Sequence, residues 1–133
     1  MIVDSSAIVA ILKQESDWGD FVRKLDAAEE IRISAGTYFE ISIVIGRLND
    51  PIMNRQIDEL MEEFEIAIEP FSAEQARIAR HAYRDYGRGS GHKANLNFGD
   101  CFAYALARVR REPLLYKGDD FVHTDIRSAM KQP

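Results

Sequence analysis

Apolar and polar positions follow two different periods along this chain. "MIV" is a short apolar run ending at Asp4, and "SSAIVAILKQ" then sets Ala7, Ile8, Ile11 and Leu12 at helical spacing, so a buried strand passes straight into a helix. A second amphipathic segment covers residues 16–28, followed by "IRIS", whose side chains alternate as in a half-buried strand. Gly36 reads as a break. From Thr37, the series Tyr38, Ile41, Ile45, Leu48 recurs at steps of three and four. The β-branched "ISIVI" within it also suits a buried strand; length and the capping pattern Thr37-x-x-Glu40 decide for a helix ending near "NDP". Pro51 suits the first turn of a helix over residues 51–64. "IAIEP" is a strand, and Ser72 with Gln75 forms a capping box that opens a helix carrying Ala76, Ala79, Tyr83 and Tyr86. After the loop "GRGSGHKAN", a helix from Asn97 carries the apolar stripe Phe98, Phe102, Ala105, Val109, and "PLLY" after Pro113 is a last buried strand.

Short apolar strands separated by helices imply a parallel sheet, because parallel strands need crossover helices that cover both faces. The expected fold class is therefore α/β, a three-layer α/β/α sandwich around a central parallel sheet. At 133 residues, with no repeat and no interdomain linker, the chain is expected to form one domain over residues 1–133. An apolar share of 46% and a charged share of 29% are those of a folding globular protein. No run approaches the ~20 apolar residues of a membrane span, and the start carries no basic leader, so membrane insertion and secretion are not expected. Cys101 is the sole cysteine, which rules out an internal disulfide and a multi-cysteine zinc site and suits a reducing cytoplasm. With a net charge of −5, any nucleic acid must be held by local basic patches or bridging cations.

Ligands of open α/β sheets gather at the carboxyl ends of the strands. Asp4 follows the first strand and Asp119 follows the last in the turn "KGDD", while Glu40 and Asp100 fall in first turns of helices, which begin at the same edge. Each acid alone has an ordinary explanation: Asp4 as a helix cap, Glu40 as the partner of Thr37, Asp100 as a carboxylate on a helix dipole, Asp119 as a turn residue. Together they would crowd negative charge at one edge, a conflict that a divalent cation resolves. Oxygen-only ligation selects a hard ion, Mg²⁺ or Mn²⁺, commonly shared with a phosphate, and such an ion activates water without a side-chain nucleophile.

Other chemistries are weaker. His81, His92 and His123 lack metal-ligand spacing, and Cys101 has no activating histidine nearby in sequence. "GRGSGHK" lacks the Gly-Lys-Ser/Thr of a phosphate loop and follows a helix; its Arg88, His92 and Lys93, with Arg84, are either RNA-phosphate contacts at the mouth of the site or a solvated loop. Arg108, Arg110 and Arg111 suit a helix carboxyl end.

The strings "IVDSSAIVAIL", "SAGTYFEISIVI", "LNFGDCFAYALA" and "PLLYKGDDFVHTDI" resemble the PIN-domain ribonucleases of the VapC toxin family over nearly the whole chain, the third being the most specific. The resemblance implies that Asp4, Glu40 and Asp100 form a Mg²⁺ site, with Ser6 supporting the first carboxylate. Either Asp119 or Asp120 can supply the fourth acid, and Asp119 is the expectation. It further implies RNA as substrate, a homodimer, and neutralisation by a VapB-type antitoxin. The expected function is that of a Mg²⁺-dependent endoribonuclease toxin; the rival is an inert PIN-like protein that binds RNA or a partner. A phosphatase of the Asp-x-Asp class is disfavoured because Ser6 stands where its second aspartate belongs.

Overall fold

The computed structural model describes residues 1–131. In chain order it forms β1 (Ile2–Val3), α1 (Ser5–Leu12), α2 (Trp18–Ala27), β2 (Arg32–Ser34), α3 (Ala35–Gly46), α4 (Pro51–Glu63), β3 (Ala67–Glu69), α5 (Ala73–Tyr86), α6 (Phe98–Arg110) and β4 (Leu114–Leu115), with a 3₁₀ turn at Ala129–Lys131. The strands pair in the order β3-β2-β1-β4, every neighbour parallel, with Ile2 opposite both Arg32 and Leu114. The expected α/β/α sandwich is the observed architecture.

Alternation within the short strands separates the two layers. Val3 and Leu115 face a core built with α1, α2, α3 and α4, whereas Ile2 and Leu114 face a second core built with α5 and α6. Ile2, Val3, Leu114 and Leu115 are all fully buried, as expected of a parallel sheet covered on both sides. The chain runs from β1 outward through β2 to β3, then returns to place β4 on the other side of β1. That reversal is a topological switch point, the crevice where open α/β sheets bind ligands.

Four local expectations are corrected. Gly36 does not break the chain; it lies in the first turn of α3, whose cap is Ser34, with the Gly36 N–H donating to Ser34 Oγ at 3.3 Å. A Cβ at Gly36 would lie 2.2 Å from the Phe102 ring, so glycine here permits close packing of α3 on α6. The Thr37–Glu40 box is therefore not formed: Thr37 Oγ1 is buried without a partner among the described residues, and Glu40 is bound from α1. The apolar stripe expected on α6 also differs, since Phe98 is 77% exposed while Gly99 to Cys101 and Ala103 to Ala107 are buried. This helix is wedged between the sheet, α3 and α5, so small residues rather than a 3.6-residue stripe mark its buried surface. Of the Ser72–Gln75 box only half exists: the Gln75 N–H donates to Ser72 Oγ at 3.1 Å, while the Gln75 amide donates instead to the Pro70 carbonyl.

Candidate active site

β1 ends at Asp4, and the Asp4 N–H donates to the Leu115 carbonyl of β4 at 2.9 Å, which fixes this residue at the crevice between the two strands. The carboxylate caps α1: its Oδ2 accepts from the Ser6 N–H at 3.1 Å and from Ser6 Oγ at 2.6 Å. Ser6 Oγ in turn accepts from the Lys117 N–H at 2.9 Å, so one hydroxyl fastens the β4 exit turn to the first carboxylate. Asp4 Oδ1 is buried and has no hydrogen-bond partner among the described residues. Burial, reinforced by the charge of Glu40 and opposed by the Ser6 bonds, pushes this carboxyl up to about 6.

Asp100 enters from the opposite layer. It closes a reciprocal capping box on α6, its N–H donating to Asn97 Oδ1 at 2.8 Å and its Oδ2 accepting from the Asn97 N–H at 2.9 Å. The structural explanation of this acid is thus correct as far as one oxygen goes. Burial, with the charges of Asp4 and Asp120 added, pushes the carboxyl up to about 8. Glu40 reaches the same place from α3, its Oε1 accepting from Ser5 Oγ at 2.8 Å. It does so by occupying the space above Gly99, where a Cβ would fall 1.6 Å from Glu40 Oε2. In the turn after β4, opened by Gly118 at φ +100°, Asp120 lies near enough to Asp100 for its charge to add to the upward push on that carboxyl. Asp119 and Asp120 are both exposed, and neither makes a side-chain hydrogen bond or ion pair among the described residues.

Asp4, Glu40 and Asp100 thus lie near one another at the strand ends, Glu40 touching Ser5 beside Asp4 and Gly99 beside Asp100. They are joined pairwise, Asp4 with Glu40, Asp4 with Asp100, and Asp100 with Asp120. Among the described residues no group of three or more Asp, Glu, His or Cys side chains is placed to hold a metal ion. The donor set nevertheless fits a hard divalent cation. Its ligand atoms are carboxylate oxygens, the buried Asp4 and Asp100 make no ion pair among the described residues, and Asp4 Oδ1 is a buried acceptor without a partner there. Cys101, one residue on, donates to the Asn97 carbonyl and is pushed by burial up to about 11, which makes it an inert thiol.

Comparison with known proteins decides the family. The PIN domain family model matches residues 1–127. The chain is 54% identical over 130 residues to Ribonuclease VapC28 of Mycobacterium tuberculosis, covering 98% of each chain. It is 50% identical over 129 residues to Ribonuclease VapC42 of the same organism, covering 97% of this chain and 98% of the relative. The chain belongs to the VapC family of PIN-domain ribonucleases. The fold agrees at far lower identity: a crystal structure of M. tuberculosis VapC20, described as a sarcin-ricin loop cleaving toxin, superposes with a TM-score of 0.71 at 15% identity, over 95% of this chain and 98% of that one. A toxin-antitoxin complex from Klebsiella pneumoniae gives 0.70 at 14%, over 96% of each chain.

Within this PIN domain, sequence reasoning passed over three supporting residues. Ser5 holds Glu40, Gly99 makes room for it, and the Lys117 backbone ties the β4 turn to Ser6. Lys117 is itself anchored, its Nζ donating to Glu15 at 3.1 Å and Asp17 at 3.0 Å. A glycine directly before a first-turn aspartate was the available signal for the close approach at position 99.

Proposed function

We propose that this VapC-family chain is an endoribonuclease toxin that hydrolyses RNA phosphodiester bonds with a divalent cation, Mg²⁺ or in its place Mn²⁺. Asp4 and Asp100 would hold the ion, Glu40 would complete the site, and Asp120 rather than Asp119 takes the fourth position, because it is the turn acid set against Asp100. The ion supplies an activated water and charge stabilisation at the phosphate. The chain's own residues do the positioning. Ser6 and Asn97 each occupy one oxygen of their aspartate, Oδ2 in both cases, leaving the other oxygen of each available. Ser5 restrains Glu40 so that its second oxygen, over Gly99, stays at the site.

One observation carries this reading: two buried carboxyls that repel each other at the switch point, one with an unpartnered oxygen. The ribonuclease names of its full-length relatives support RNA as substrate, and the similarity to a toxin-antitoxin complex supports a VapB-type antitoxin as partner. A homodimer and a cytoplasmic location complete the proposal; among the described residues no helix is long and apolar enough to cross a membrane. The test is thermal melting and RNA cleavage measured side by side with chelator, Mg²⁺ and Mn²⁺. A specific ion at 100 times its Kd adds about 2.7 kcal/mol of stability, so a chelator-reversible rise in Tm accompanied by cleavage is expected. Neither a shift nor cleavage with any divalent ion would instead identify an inert PIN-like binder.

A further inference from the structure

The α5–α6 connection resolves what the basic residues of "GRGSGHK" do. Residues 77–97 contain five Lys/Arg and one acid, in a chain with 17 Lys/Arg and 22 Asp/Glu overall, so this segment is a local exception to an acidic surface. The structure sorts its cations. Arg84 is paired with Asp85 at 3.0 Å. His92 is turned to a structural role, its Nδ1 accepting from the Ala94 N–H at 3.0 Å and its ring lying edge-on to Tyr86 at 4.9 Å. Arg88 and Lys93 are exposed and make no ion pair or side-chain hydrogen bond among the described residues.

The placement of Arg88 relative to the acids is fixed by one peptide unit, and Lys93 follows in the same loop. The Arg88 N–H donates to the Leu96 carbonyl at 2.9 Å, and the N–H on the other side of that same peptide, from Asn97, donates to Asp100 Oδ2 at 2.9 Å. With standard peptide dimensions, the Arg88 nitrogen and the Asp100 carboxylate therefore lie no more than about 8 Å apart. An Arg side chain from that point reaches a phosphate next to one seated at Asp100. The loop is also pre-shaped. Ser90 Oγ donates to the Gly87 carbonyl at 2.6 Å, the His92 N–H donates to Ser90 Oγ at 3.1 Å, and Gly89 and Gly91 hold φ of +86° and +82°. Little ordering entropy remains to be lost when the loop grips a ligand.

We infer that Arg88 and Lys93 form the phosphate-gripping subsite of the RNA substrate, holding the strand beside the bond presented to Asp4 and Asp100. This rests on the proposed nuclease function, but its test does not. Binding of a labelled single-stranded oligoribonucleotide is measured with chelator across a salt series for the wild type, Arg88→Glu/Lys93→Glu, and a control, Arg47→Glu/Arg55→Glu, which makes the same charge change at exposed positions on or beside α3 and α4. Each single-strand phosphate contact contributes about 0.7 to the slope of log K on log salt, so the loop variant is expected to lose about 1.4 of slope and at least about tenfold in affinity. The control is expected to change by less than about twofold. In cleavage assays the loop variant should raise KM and leave kcat nearly unchanged. A loop variant that behaves like the control overturns the inference, and so does a wild type that binds a polyglutamate peptide as tightly as the RNA. A wild type that binds with the expected salt dependence but never cleaves would sustain this subsite and remove the nuclease reading.

Discussion

The two ends of the same sheet treat acidic side chains in opposite ways. At the amino end, Glu112 is met by the Met1 amino group at 2.7 Å, by Arg110 at 3.0 Å and by Arg32 at 3.3 Å, while Arg32 also binds Glu30 at 2.8 Å. Burial alone would raise Glu112, yet these cations hold it below the usual carboxylate range. At the carboxyl end, Asp4 and Asp100 have burial and one another, and both sit above that range. A fold that gives Glu112 three cationic partners leaves these two with hydrogen bonds but no ion pair among the described residues. That contrast, more than the number of acids, marks the carboxyl end as a place prepared for a cation and its ligand.

The comparison can be broken most forcefully at Asp100. Asp100→Asn keeps an acceptor for the Asn97 N–H and removes the repulsion, so RNA cleavage is expected to fall by about a thousandfold while Tm in chelator stays level or rises; a fall in Tm would show that the carboxylate stabilises the fold. pH sharpens the same contrast. A carboxyl raised on folding binds its proton more tightly in the folded state, so the penalty from Asp4 and Asp100 is complete above about pH 8 and is relieved as the pH drops towards about 4. Melting in chelator should therefore give a Tm that rises on acidification through this window, with the upper part of the slope missing in Asp100→Asn. Glu112, lowered on folding, contributes with the opposite sign and loses its contribution only at lower pH.

Gly99→Ala comes next. It would drive Glu40 off its position without touching a ligand, with cleavage reduced roughly 10- to 100-fold and the fold retained, as judged by circular dichroism and kinetics. Ser6→Ala should cost a similar or smaller factor, because it unties both Asp4 and the Lys117 turn. At the other end, Arg32→Ala should lower stability by about 1–3 kcal/mol in denaturant unfolding and leave kcat unchanged. If Arg32→Ala impaired catalysis as much as Gly99→Ala, the division between the two ends would fail.

Much of this was legible because the chain states its elements locally. Strand-to-helix transitions at Asp4 and Asn97 follow from apolar runs and caps, and the parallel sheet follows from their alternation. What escaped was set by contacts between distant segments. Gly36 reads as a break until Phe102 is seen lying on it, and Phe98 reads as core until small residues are found to fill that face of α6. The choice between Asp119 and Asp120 depends on the path of the chain after Gly118, which no residue pattern in "KGDD" encodes.

Asp100 serves two masters, and this bears on how descendants of such a protein would decay. A lineage that abandoned catalysis would still gain from a short acceptor at position 100, because α6 starts on it. Glu40 over Gly99 offers no such incentive, since their contact braces no helix end, and drift would erase it first. A lineage that has lost Gly99 but retained a short acceptor, Asp or Asn, at position 100 is therefore the profile of a relic.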